Sequence, residues 1–150
     1  MQYKQKTFDK LTPAELYSIL QLRQEIFIIE QDCIYPDIDN KDENAQHFMA
    51  FDEGKLVGCL RILRRGVTFE ECSIGRVVVS AQYRRKGIAQ NLMQQAMAVI
   101  KNDWKKQYIR ISSQAYAAPV YAALGFRVVS GEYIEDGIPH VEMLCDLSEI

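Results

Sequence analysis

Ahead of a stretch with helical spacing, the chain places Arg84, Arg85, Lys86 and Gly87, followed at once by Ile88 and Ala89. Three cations and a glycine before a helix are chemistry for a phosphate. The first N–H groups of a helix have no internal partner, and the helix dipole favours an anion there. Gly87 lets a ligand approach the backbone closely. A basic turn before a surface helix is also common where nothing binds, so the fragment alone leaves both readings open. A second reactive group spans residues 30–42: Glu30, Asp37, Asp39 and Asp42, with Ile34, Tyr35 and Ile38 among them. A merely solvated loop needs no such apolar residues. The pattern fails as a calcium loop, because no glycine or twelfth-position glutamate follows, and no metal is expected. An acidic wall for a cationic amine is the preferred reading. Two histidines, His47 and His140, are of the residue type that most often serves as a general base near neutral pH.

These residues need elements to position them. Val77-Val78-Val79 is a β-branched run ending at a polar turn, and Ile74 to Val79 reads as a strand carrying Arg76 on its Ile74/Val78 face. After Gly87, apolar residues at Ile88, Leu92, Met93, Ala96, Met97 and Ile100 mark one face of a helix. Residues 2–8 form a first strand. Thr12-Pro13-Ala14-Glu15 is a capping box with proline at the first helical position. The helix after it aligns Leu16, Ile19, Leu20, Ile26 and Phe27, with Arg23 and Glu30 on the same stripe. Such charges are either paired with a neighbouring element or line a cleft. The same choice applies to Arg61 and Arg76, where Arg76 in a cleft would fix an acidic loop residue or a substrate carboxylate. Strands at 47–52 and 55–64 are joined at Asp52-Glu53-Gly54. A strand at 107–113, a short helix from Tyr116 to Leu124 capped by Gly125, and a hairpin of 126–133 with 140–146 complete the chain. The expected fold is α/β (α+β). It is one domain over residues 1–150, with a mixed, mostly antiparallel central sheet and helices on both faces, in the order β-α-β-β-β-α-β-α-β-β.

Length and composition agree. A chain of 150 residues suits one domain. A net charge of −2 argues against general nucleic-acid binding. No apolar run approaches membrane-spanning length, and the first ten residues have no secretory h-region. Cys33, Cys59, Cys72 and Cys145 form no C-x-x-C pair and read as reduced thiols of a cytoplasmic protein. None lies beside a histidine in sequence, which argues against an acyl-cysteine intermediate.

Arg84-x-x-Gly87-x-Ala89 after the valine strand resembles the pyrophosphate-binding signature of the GNAT N-acetyltransferase superfamily. Gln114-x-x-Ala117-x-x-x-Tyr121-x-x-x-Gly125-Phe126 resembles a second motif of that family, with Gln114 where the family usually has asparagine. Arg23-x-x-x-Phe27-x-x-Glu30-Gln31-x-Cys33-x-Tyr35-x-Asp37 and Gly131-x-Tyr133-x-Glu135-Asp136-Gly137-Ile138-x-His140 are similar to the ElaA-like branch. The resemblance implies acetyl-CoA as acyl donor and an amine as acceptor. It places the donor on Val77, Val78, Val79, Arg84, Arg85, Lys86, Gly87, Ile88, Ala89, Gln114 and Tyr121. A backbone N–H near Val79 would hold the thioester oxygen, and Tyr121 would protonate the leaving thiolate. Acceptor contacts are expected from Arg23, Phe27, Glu30, Tyr35, Asp37, Arg76 and His140. The base is open among Glu30, Asp37, His47, His140 and Glu142, with Glu30 and His140 preferred as catalytic. Dimers are common in the superfamily, but the sequence carries no interface signal.

Two other readings stand beside it. Acyl-homoserine-lactone synthases share the fold, an R-x-x-x-F beginning and an acidic segment; the intact Arg84–Ala89 loop argues for CoA instead. A non-catalytic acyl-CoA sensor would bind the donor and be indifferent to Tyr121.

Overall fold

A computed structural model describes residues 1–150. The strands are β1 (Gln2–Thr7), β2 (Ala45–Asp52), β3 (Lys55–Leu63), β4 (Cys72–Val79), β5 (Tyr108–Gln114), β6 (Phe126–Val128), β7 (Tyr133–Glu135) and β8 (Ile138–Asp146). The helices are α1 (Pro13–Arg23), α2 (Ile88–Ala98) and α3 (Ala118–Ala122). The sheet order is β1-β2-β3-β4-β5-β8-β6, and β7 also pairs with β8. All pairings are antiparallel except β4 with β5.

Alternation along the central strands builds two cores. Phe48, Ala50, Leu60 and Ile62 pack on one face beneath Leu92, Met93 and Ala96 of α2. Met49, Cys59 and Val78 pack on the other beneath Ile19 and Leu22 of α1. The helices therefore cover opposite faces of the sheet. Gly58 on β3 lets α2 lie close: a Cβ there would come within 3.1 Å of Ile88 Cγ2. All four cysteines are free and buried.

The α1 capping box forms as expected, with Glu15 N–H donating to Thr12 Oγ1 at 3.1 Å and Thr12 N–H to Glu15 Oε1 at 2.9 Å. Of the expected stripe, Ile19 and Arg23 are buried and Ile26 and Phe27 pack partly buried beside them, whereas Leu16 and Leu20 are only half-buried and Leu22 is buried in addition. The helix does not stop at Arg23. Residues Gln24–Glu30 continue as a wider coil with bonds spanning five residues, such as Gln31 N–H to Ile26 O and Cys33 N–H to Ile28 O. That widening changes the phase between Arg23 and Glu30. Arg23 is buried, whereas Glu30 is exposed.

The expected strand 126–133 is two strands. Val129 N–H still reaches Glu142 O, but Ser130 Oγ then accepts the Glu142 N–H at 2.8 Å. A side chain replaces a backbone partner, and the ladder breaks before β7 resumes it.

Candidate active site

The parallel pair β4–β5 is joined only at Cys72–Ile109 and Ser73–Arg110. Beyond Ser73 the strands diverge, and a cleft of about 450 Å³ opens between Ile74–Val79 and Ile111–Gln114. The coil after α1 supplies one wall through Phe27, Glu30 and Gln31; Tyr121, Glu135, Asp136 and His140 supply the other.

A bulge helps open it. Cys59 faces Val78 and Arg61 faces Gly75, so Leu60 of β3 opposes both Arg76 and Val77. Arg76 takes a left-handed φ of 52° to make the extra residue fit. Past the bulge, Ser80 N–H donates to Val57 O at 2.8 Å while Val79 stands opposite Gly58. Val79 and Gly58 are thus a non-hydrogen-bonded pair. The N–H and C=O of Val79 consequently point away from β3, into the gap that β5 has left.

At one end of the cleft, the loop 84–87 is exposed and Gly87 caps α2 with φ 78°. Asn91 N–H is the first to bond within the helix, to Gly87 O, which leaves the N–H groups of Ile88, Ala89 and Gln90 at the open terminus. Arg84 turns back over the cleft. Its Nε donates to Val79 O at 3.3 Å, and its Nη2 pairs with Glu30 Oε2 on the opposite wall.

Tyr121 lies in the lining with its ring edge-on to Phe126, centroids 6.2 Å apart. Burial pushes its phenol up to about 12. It therefore keeps its proton across the neutral range.

At the other end, His140 Nδ1 lies 2.7 Å from Ile138 O. A carbonyl can only accept, so Nδ1 carries the hydrogen and Nε2 faces the cleft, 3.4 Å from Glu135 Oε2. The neighbouring Tyr133 hydroxyl lies 2.5 Å from Ser112 Oγ. Two contacts bridge the walls: Gln114 Nε2 to Gln31 Oε1 at 3.2 Å and Cys33 Sγ to Asp136 O at 3.2 Å.

The acidic loop is bound by arginines from inside the protein and does not face an acceptor. Arg23, 1% exposed, donates to Asp37 Oδ2 at 2.8 Å and Asp42 Oδ1 at 2.7 Å. Arg61 grips Asp39 with both Nη atoms and reaches Asp42 at 3.0 Å. Arg76 meets Asp37 and Asp39 at 2.9 and 3.3 Å, with Tyr35 Oη donating to Asp37 Oδ1 at 2.8 Å. Three arginines neutralise three aspartates, so the segment is not an acidic wall for a cation. Arg23 and Asp37, expected at the acceptor, lie behind the cleft and satisfy each other. Burial opposes the charged forms of Asp39 and Asp42. Hydrogen bonds and charge from Arg61 at Asp39, and from Arg23 and then Arg61 at Asp42, outweigh it and hold both carboxyls below their ordinary range.

Of the five candidate bases, only Glu30 and His140 line the cleft. His47 is 1% exposed and donates from Nε2 to Asp42 O at 2.9 Å; burial first, then the nearby arginines, lowers its pKa. Glu142 lies outside and pairs with Arg110. Of the expected donor residues, Val77, Val78, Val79, Arg84, Gln114 and Tyr121 line the cleft, whereas Arg85, Lys86, Gly87, Ile88 and Ala89 lie beyond its end at the α2 terminus. Phe27, Tyr35 and Arg76 also line it. Gln31 and Glu135 line the cleft as well, and the sequence reading does not place them there. Glu135 sits in a turn motif that reads locally as a hairpin signal, and only the closure of β7–β8 onto Cys33 carries it to the cleft.

The profile of the family described as "Acetyltransferase (GNAT) domain" matches residues 12–147. The chain belongs to this GNAT acetyltransferase family. A UPF0039 protein of Schizosaccharomyces pombe is 39% identical, covering 98% of each chain. The crystal structure of Escherichia coli ElaA superposes with a TM-score of 0.90 at 32% identity, covering 97% of this chain and 100% of that one. An acyl-CoA N-acyltransferase from Pseudomonas aeruginosa gives the same TM-score at 35% identity, over 97% and 99% of the two chains. This GNAT protein is an acyltransferase. Its family uses an acyl-CoA and an acceptor. No helix in it is long and apolar enough to cross a membrane.

Proposed function

We propose that the protein is an acetyl-CoA-dependent N-acetyltransferase that moves the acetyl group directly onto an amine of a small molecule or peptide. The observation that carries the reading is the splayed β4–β5 cleft, which runs from the open N-terminus of α2 past Val79 and Tyr121 to His140.

Each group has a task in this scheme. The α2 terminus with Arg84, Arg85 and Lys86 holds the pyrophosphate. The pantetheine arm lies along the free edge of β4. The amine nitrogen attacks the thioester carbonyl carbon, and the Val79 N–H stabilises the oxygen as it becomes an oxyanion; one such donor contributes about 3 kcal/mol. His140 Nε2 takes the ammonium proton, with Glu135 beside it to stabilise the imidazolium. The C–S bond then breaks, and Tyr121 Oη gives its proton to the thiolate sulfur. Tyr121 is protonated at neutral pH, as a donor must be; burial, which pushes the phenol up to about 12, makes it a weaker acid and does not itself favour the transfer. Both reactants bind before chemistry, so the cleft's main contribution is orientation.

The test is calorimetric titration of acetyl-CoA, followed by a free-thiol assay across a panel of amines. Binding together with amine-dependent thiol release is expected. Absence of acetyl-CoA binding overturns the reading. Binding with no thiol release, together with a Tyr121→Phe variant unchanged in every assay, points to an acyl-CoA sensor.

A further inference from the structure

Arg84 and Glu30 come from opposite walls of the cleft and pair across its donor end. Arg84 also donates from Nε to Val79 O, one of the two backbone groups turned into the gap. One side chain thus occupies the edge of β4, the opposite wall and the approach to the α2 terminus. Both members of the pair are well exposed to solvent at their side chains, 42% and 41%, so the contact is free to exchange for a ligand.

We propose that the Arg84–Glu30 pair couples the two substrates, so that each binds more tightly when the other is present. The inference rests on the acetyltransferase reading above. A donor phosphate takes the guanidinium of Arg84, and a protonated acceptor amine takes the carboxylate of Glu30. The pair has to be broken only once. Whichever ligand breaks it leaves the partner charge free for the other, and the coupling is reciprocal by linkage. Glu30 is thereby an acceptor-binding residue that the donor uncovers. The acceptor class it selects is one carrying a cationic amine.

The test is a double-mutant cycle read by calorimetry with CoA as the probe, at low salt. Glu30→Gln removes the competing carboxylate. CoA affinity is expected to rise about two- to fivefold, the scale of an exposed ion pair. In an Arg84→Gln background the same substitution is expected to change nothing, because no pair remains to break. Raised salt should shrink the first effect. Thermal unfolding establishes that all variants are folded. Unchanged or weaker binding to Glu30→Gln overturns the coupling, and so does an equal gain in both backgrounds, which would mark simple charge repulsion. Failure of the wild type to bind CoA is a different result: it overturns the donor-loop reading, and the coupling with it.

Discussion

Arg76 Nε stands 2.9 Å from Asp37 Oδ1, and the residue holding that contact is the one whose φ of 52° makes the β4 bulge. The ion pair ties a loop that follows α1 to the point where β4 turns away from regular pairing. Arg76 belongs to the six-charge network, and its side chain keeps 24% exposure at the cleft.

Removing that tie should disturb the chemistry more than the fold. Arg76→Met is expected to lower kcat by up to about 100-fold, the scale of a small misplacement of reacting groups, while donor affinity changes little. Steady-state kinetics beside CoA calorimetry checks the split. A proportional loss of both would instead mark general unfolding.

The network behind it predicts a stability effect. Arg23→Ala leaves Asp37 and Asp42 buried with one cation fewer and should cost about 3 kcal/mol, measured by urea denaturation.

His47 predicts a pH dependence. Its pKa in the folded protein lies below the ordinary 6.5, so the fold favours the neutral ring. That stabilisation is fully present above the unfolded pKa and is lost as pH falls through the folded one. The melting temperature should therefore drop as pH is lowered from about 7 toward 5. His47→Gln keeps a donor for Asp42 O without the titration, and should flatten that slope. Asp39 and Asp42, also lowered, should give a second decline below about pH 4.

Tyr121→Phe should lower turnover at neutral pH by about 100-fold or more, the scale of a positioned proton donor, with acetyl-CoA affinity retained. Because burial pushes the phenol up to about 12, loss of this proton should produce no fall in the wild-type rate between about pH 8 and 10.

At Gly87 the prediction separates backbone from charge. A Cβ there meets nothing within 4 Å, but the φ of 78° disfavours any side chain. Gly87→Ala should cost about 1–2 kcal/mol of stability and bind acetyl-CoA with modest loss. Gly87→Glu places a carboxylate among the phosphates and should abolish binding by calorimetry.

What can be read from the chain alone are the parts whose signals are local. A capping box, a 3.6-residue apolar repeat and a valine strand before a glycine loop are set by neighbouring residues, so α1, α2, β4 and the glycine turn that opens α2 are legible in it. Arg23, Arg61 and Arg76 were recognisable as costly charges needing partners. Their partners were not, because Asp37, Asp39 and Asp42 come from a loop whose composition reads the same whether it faces a ligand or an arginine. That these carboxylates are neutralised inside the protein, that Glu30 pairs with Arg84 54 residues away, and that Glu135 stands beside His140 emerge only in the folded chain. Each depends on the relative placement of distant elements. The widened coil after Arg23 and the bulge at Arg76 decide that placement, since both shift side-chain phase by amounts that a regular helical or strand repeat does not encode.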